Sequence, residues 1–174
     1  MEISVKDNME IWDLYTADRQ PTGKTMIRGD ETPEGLYHLG VHAWVRNSEG
    51  KYVISQRSPK KEACPLMWET VAGSVVAGED SLTGVLREVK EEIGLDFKAE
   101  DAKLVYTQIG DGITSRGIVD IYLFEYDGEI DLSRATTEEV IQSKWLTYDE
   151  IVALRDSGKL VSILGYFFDG KVKG

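Results

Sequence analysis

Three glutamates, Glu88, Glu91 and Glu92, stand at spacings i, i+3 and i+4. In a helix that spacing lines them along one edge. On a helical wheel the edge flanks an apolar stripe made by Leu82, Val85, Leu86, Val89 and Ile93, rather than opposing it. Carboxylates held that close repel one another, and a flank beside the core gives little water to screen them. A hard divalent cation, which prefers carboxylate oxygens, would turn the repulsion into binding. The bland alternative is a solvated acidic face. Such a face normally interleaves Lys or Arg, but here Lys90 lies elsewhere on the wheel and Arg87 sits beside the edge.

The elements that must position these carboxylates follow from periodicity. The stripe predicts a helix over 81–93, capped by Asp80 or Ser81 and stopped by Gly94 at a left-handed position. From Leu39 the pattern alternates: Leu39, Val41, Ala43 and Val45 share one face, and Gly40, His42, Trp44 and Arg46 the other. That is a half-buried strand, and Tyr52 to Gln56 reads as its return. A second strand pair spans Leu104 to Ile109 and Ile118 to Tyr126, with Val119, Ile121 and Leu123 on one face. An early hairpin is expected from Ile11–Tyr15 and Thr25–Ile27, turning at Pro21-Thr22-Gly23. Thr147-Tyr148-Asp149-Glu150 opens a further helix with a capping box. Strands on both sides of a central helix predict an α+β or α/β sandwich.

Composition bounds the rest. The 174 residues suit one compact domain. A formal net charge of −11 disfavours nucleic acid or an anionic membrane as partner, yet allows a phosphorylated substrate if a cation mediates. Cys64 is the only cysteine, so no intrachain disulfide forms and a reducing cytoplasm is expected; the thiol is read as inert. The opening residues, Met1 to Asp7, lack the basic and apolar regions of a secretion signal. Leu160 to Phe168 is broken by Ser162 and Gly165 and falls well short of the ~20 residues a membrane span needs.

The glutamates lie inside a longer pattern. From Gly73 to Glu79, then seven residues, then Arg87-Glu88-Val89-Lys90-Glu91-Glu92-Ile93-Gly94-Leu95, the chain reads G-x5-E-x7-R-E-U-x-E-E-x-G-U, with U apolar. This resembles the signature of the Nudix hydrolases at every fixed position. The resemblance implies an α/β/α sandwich with a central mixed sheet, an N-terminal strand hairpin and the motif as a loop-helix-loop over 73–95, all in one domain over 1–174. It implies a hydrolase that cuts the P–O–P bond of a nucleoside diphosphate linked to another group, through attack by a water activated on Mg²⁺, or Mn²⁺ in its place. Glu88, Glu91, Glu92 and the Ala72 carbonyl match the family's metal-binding positions. Arg87 matches an arginine that orients the glutamates, and Glu79 supports that arrangement. The base that deprotonates the water often lies outside the motif. Glu139 is the candidate, with Glu138 and Glu91 as alternatives and a solvated loop charge as the bland reading.

Over most of the chain the resemblance extends, less specifically, to the branch containing isopentenyl-diphosphate isomerase. It is carried by Asp13-Leu14-Tyr15, Gly23-Lys24-Thr25, Arg28, Gly35 to His38, Gln56-Arg57-Ser58, Lys60-Lys61, Pro65 and Trp68. Arg57 and Lys61 match diphosphate contacts in the isomerase, and Arg28 and His38 join them as candidate substrate-binding residues. His38 matches a metal-ligand position there, but its partner histidine is missing, so substrate contact or plain packing is favoured. The isomerase needs a cysteine and a histidine where this chain has Ala72 and Ser74. A hydrolase on an isomerase-like frame is therefore expected. An isomerase and a catalytically silent nucleotide-binding protein remain as alternatives. Trp44 is read as core in preference to a base-stacking platform. Many relatives pair, so a homodimer is compatible with the resemblance.

Overall fold

The computed structural model describes residues 9–113 and 115–173, so the stretch Met1–Asp7 lies outside the described residues. It opens with a hairpin of β1 (Ile11–Tyr15) and β2 (Pro21–Ile27), paired antiparallel. The turn comes earlier than the Pro21-Thr22-Gly23 expectation, over residues 16–20. Arg19 takes a left-handed backbone (φ 63°), and the Gln20 N–H donates to Thr16 Oγ1 at 3.0 Å, which closes the turn before Pro21. Pro21 instead begins β2 opposite Tyr15, a place where a missing N–H is tolerated.

Seven strands form the main sheet. They are β3 (His38–Arg46), β4 (Tyr52–Arg57), β5 (Trp68–Glu69), β6 (Val71–Ser74), β7 (Lys103–Asp111), β8 (Arg116–Glu125) and β9 (Val140–Leu146). The order is β5-β4-β3-β8-β7, with β6 also on β3 and β9 also on β4. β3 and β8 run parallel from His38 opposite Gly117 to Arg46 opposite Glu125; the other pairs are antiparallel, so the sheet is mixed. Helix α1 (Ser81–Ile93) covers one face, as the stripe predicts. Helix α2 (Tyr148–Asp156) and the short α3 (Gly165–Phe168) cover the other, which completes the α/β/α layering.

Strand β3 corrects the half-buried expectation: it is buried on both faces up to Arg46. Leu39, Val41, Ala43 and Val45 meet Val85, Val89 and Ile93 of α1. The face read as polar is a second core, where Trp44 is fully buried and stacks on Phe167 at 4.2 Å and 5°. That removes Trp44 as a base-stacking platform. Each of Val85, Val89 and Ile93 is fully buried, worth about 1.5–3 kcal/mol apiece, so α1 is held at a fixed depth on the sheet. Among the described residues, no helix is long and apolar enough to cross a membrane.

Candidate active site

Helix α1 is pinned at both ends. Asp80 accepts the Thr83 N–H at 2.7 Å, and Gly94 (φ 72°) returns its N–H to the Lys90 carbonyl at 3.1 Å. With the apolar stripe locked against the sheet, the glutamate edge turns towards β5, β6 and the segment before β9. Glu88 and Glu92 are buried, and Glu91 is half-buried. Gly73 makes room for this: a Cβ there would collide with the Glu88 carboxylate. No other residue type lets the carboxylate lie against β6.

Arg87 organises the edge. Its Nε and Nη2 fork onto Glu79 at 2.9 and 3.0 Å, while Nη1 reaches Glu88 at 2.7 Å and Glu91 at 3.2 Å. Nη2 also donates to the Ser74 carbonyl at 3.0 Å. Burial works against the Arg87 charge, but the hydrogen bonds and charges of Glu79 and Glu88 outweigh it and hold the guanidinium protonated.

Two further acids close on the cluster. Glu69 on β5 is buried and ion-paired with Arg57, whose Nε and Nη2 also hold the Ala63 carbonyl at 3.0 and 2.8 Å. Glu139, in the segment before β9, pairs with Lys61, and neighbouring Glu138 meets Lys60 at 3.2 Å on the exposed side. That segment is tied to α1, because the N–H groups of Thr136 and Thr137 both donate to the Glu91 carbonyl, at 3.0 and 3.2 Å.

The electrostatics are lopsided. Burial pushes Glu88 up to about 7 against the pull of Arg87, and the charges of Glu91 and Glu139 add to the rise. Burial, then the charges of Glu69, Glu88 and Glu139, drive Glu92 well above the ordinary carboxylate range, with Lys61 opposing. Burial also raises Glu69, in opposition to Arg57. Among the described residues, Glu92 Oε2 is the one buried side-chain oxygen or nitrogen with no hydrogen-bond partner. A buried acceptor left unmade costs about 1–3 kcal/mol, more if charged.

A divalent cation fits this donor set: hard carboxylate oxygens, a surplus of negative charge and an unpartnered oxygen at the centre. Among the described residues, no three Asp, Glu, His or Cys side chains already stand as a coordination cage. The physical reason is local, since Arg87, Arg57 and Lys61 hold the carboxylates in their present rotamers. Side-chain rotation can supply such a cage, whereas among the described residues no group supplies a partner for Glu92 Oε2.

The structure thus gathers Glu88, Glu91, Glu92, Arg87, Glu139 and Lys61, with Ala72 beside Gly73 on β6. Arg57 joins them, turned onto Glu69 rather than outward. Arg28 does not: it pairs with Glu10 at 3.0 Å at the hairpin, half-exposed. Nor does His38, which is buried beneath Trp12 with ring centroids 4.2 Å apart. Its Nδ1 donates to the Leu39 carbonyl (3.1 Å), which leaves Nε2 to accept from the Ser115 hydroxyl (2.7 Å). Burial lowers its pKa, in keeping with a neutral packed ring. Glu69 escaped the sequence reading. Its signal is an acid between Trp68 and Thr70-Val71, in a segment too apolar for a solvated charge.

A NUDIX domain family model matches residues 36–164. The chain is 35% identical over 163 residues to an uncharacterised Nudix hydrolase of Listeria monocytogenes, covering 92% of this chain and 91% of that protein. It is 29% identical over 89 residues to an isopentenyl-diphosphate Delta-isomerase of Escherichia coli, covering 51% of this chain and 49% of the isomerase. A crystal structure from Deinococcus radiodurans superposes with a TM-score of 0.77 at 21% identity, over 94% of this chain and 100% of that one. A Francisella tularensis bifunctional NMN adenylyltransferase/ADP ribose pyrophosphatase, complexed with AMP and a Mn ion, superposes with a TM-score of 0.59 at 18% identity, over 78% of this chain and 42% of that one.

Proposed function

Because this chain belongs to the Nudix family, we propose that it is a Mg²⁺-dependent hydrolase that cleaves the pyrophosphate bond of a nucleoside-diphosphate-linked substrate. The observation that carries the metal dependence is the buried, unpartnered Glu92 Oε2, ringed by the charges of Glu69, Glu88 and Glu139. Glu88, Glu91, Glu92 and the Ala72 carbonyl would hold the ion. When bound, a divalent cation offsets phosphate charge and lowers the pKa of a coordinated water.

The chain's own groups do the remaining work. Arg87 keeps Glu88 and Glu91 aimed along the same edge, and Glu79 fixes Arg87 through a two-toothed contact. Glu139 takes the proton of the attacking water on a carboxylate oxygen; Glu138 and Glu91 are the alternative bases. Lys61 holds Glu139 and stands where its ammonium can turn to a substrate phosphate. Arg57, committed to Glu69 and the Ala63 carbonyl, sets the position of Glu69 and of the loop that carries Lys61.

The test is incubation with Mg²⁺ and a panel of nucleoside triphosphates, nucleotide sugars, dinucleotides and isopentenyl diphosphate. Release of a nucleotide or phosphate is the expected outcome. The partial likeness to the isomerase gives a second reading, which double-bond migration in isopentenyl diphosphate would favour. Ala72 and Ser74, standing where that chemistry needs a thiol and an imidazole, count against it. Binding without turnover would favour a silent nucleotide-binding protein.

A further inference from the structure

The hairpin β1–β2 lies outside residues 36–164, the span of the family model, yet it grips the loop that leads into α1. The Ala77 N–H donates to the Ile11 carbonyl at 2.8 Å, and the next N–H, of Gly78, donates to Asp13 Oδ2 at 2.8 Å. Gly78 then turns at φ 85°, a left-handed backbone that glycine adopts without strain and that carries the chain from its held amide to Glu79. Glu79 follows at once. Its carboxylate accepts Val76 N–H (3.2 Å) and both arms of Arg87, and Arg87 reaches Glu88 and Glu91. Hydrogen bonds and one stretch of backbone, from Gly78 to Glu79, thus join Asp13, the Gly78 amide, Glu79, Arg87 and the glutamate edge.

A strap is effective only if its far side is fixed, and this one is. Arg19, in the hairpin turn, forks onto Asp120 of β8 at 2.8 and 2.5 Å. Asp120 is buried and also accepts from Thr107 at 2.8 Å. Burial raises its carboxyl, but Arg19, Ser81 and Thr107 together outweigh burial and keep it ionised. Tyr15 and Tyr37 exchange backbone hydrogen bonds at 2.8 and 2.9 Å, and Trp12, Leu14 and Met26 bury a small core of their own with Leu36. The hairpin is thereby anchored to the sheet independently of the motif loop.

We infer that Asp13 is a positioning residue for the metal-binding edge, and that the hairpin is the brace through which it acts. The inference rests on the metal-binding reading above. The Asp13 carboxylate fixes the Gly78 amide, hence the backbone from which Glu79 reaches Arg87. Its loss lets Glu79 drift and loosens the alignment of Glu88 and Glu91, with no substrate contact removed.

The experiment titrates Mn²⁺ against the substrate-free protein, reading free Mn²⁺ by electron paramagnetic resonance, alongside kcat, KM and Tm. Asp13→Ala should weaken Mn²⁺ binding on the order of 10-fold, the scale for groups that orient metal ligands. It should lower kcat with KM unchanged and Tm within a few degrees of the parent. Asp13→Asn keeps an oxygen acceptor for Gly78 and should restore most of the affinity. Thr22→Val deletes a bond inside the hairpin, Thr22 Oγ1 to the Leu14 carbonyl at 2.7 Å, without touching the motif loop, and should leave Mn²⁺ affinity unchanged. Parental affinity in Asp13→Ala, or an equal loss in Thr22→Val, overturns the role of Asp13 while leaving the metal site intact. A parent protein that binds no Mn²⁺ overturns the metal-binding reading and this inference with it.

Discussion

Strand β3 and its neighbours carry a buried polar cluster on each face, and the two are built differently. On the α2–α3 side, His42, Trp44 and Tyr166 satisfy one another: Trp44 Nε1 donates to the Tyr166 hydroxyl at 2.9 Å, which leaves that hydroxyl to donate to His42 Nδ1 at 2.6 Å. The cluster carries no net charge, because burial pushes His42 down to about 4 and Tyr166 well above its ordinary range. On the α1 side, Glu69, Glu88, Glu92 and Glu139 face Arg57, Arg87 and Lys61, with an acidic surplus and an oxygen left unpartnered. The first cluster is closed and serves packing. The second is open, at a cost in stability that only binding recovers.

Removing the open group should have the largest effect. Glu92→Gln is expected to lose Mg²⁺-dependent turnover by more than the roughly 10–100-fold typical of outer partners, yet to be at least as stable as the parent in chelator, because a buried carboxyl crowded by the charges of Glu69, Glu88 and Glu139 has gone. Steady-state rates at saturating Mg²⁺ and thermal melts in EDTA check both halves. Next comes Glu139→Gln, expected to slow turnover about 10²-fold, as the loss of a general base does; an unchanged kcat removes Glu139 from the reaction.

The closed cluster should answer in the opposite way. Tyr166→Phe strands the Trp44 N–H and the His42 nitrogen, and should cost about 1–3 kcal/mol in denaturant unfolding, with kcat per folded molecule unchanged. A loss of kcat without loss of stability would mean that the two faces are not separate.

The smallest effect is in pH. Burial pushes the Glu88 carboxyl up to about 7 in the folded protein, from an ordinary 4.5. A raised carboxyl contributes stability that is present below 4.5 and lost as pH rises through 7. His42, lowered to about 4 from 6.5, contributes stability that is present above 6.5 and lost as pH falls through 4. The two slopes oppose each other between about 4.5 and 6.5. Melts in EDTA should therefore show Glu88→Gln gaining on the parent from pH 4.5 to about 7. A constant difference across that range would contradict the burial of Glu88.

The legible parts were those written as local pattern. Helix α1 and its glutamate edge follow from a 3.6-residue stripe, and the capping box of α2 from Thr147 and Glu150. What escaped depends on tertiary context. β3 reads as half-buried because Gly40 and His42 look polar, yet α3 supplies a second core for that face. The hairpin turn shifts because Arg19 accepts a left-handed backbone and closes the turn before Pro21, while Gly23, also left-handed, lies within β2. Glu69 and Asp120 are single acids in apolar strands, and neither shows its guanidinium partner, Arg57 or Arg19, in its own segment. Arg57, as a cation near the motif, reads as outward-facing until Glu69 is placed beside it.

The most direct test of the open cluster is a crystal soaked in Mn²⁺ and examined by anomalous scattering. The expected result is a peak within coordination distance, about 2.1 Å, of a Glu92 carboxylate oxygen, with Glu88 or Glu91 as a second ligand and Arg87 still on Glu79. A well-diffracting soak with Glu92 still unpartnered, and Mn²⁺ found elsewhere or nowhere, would contradict it.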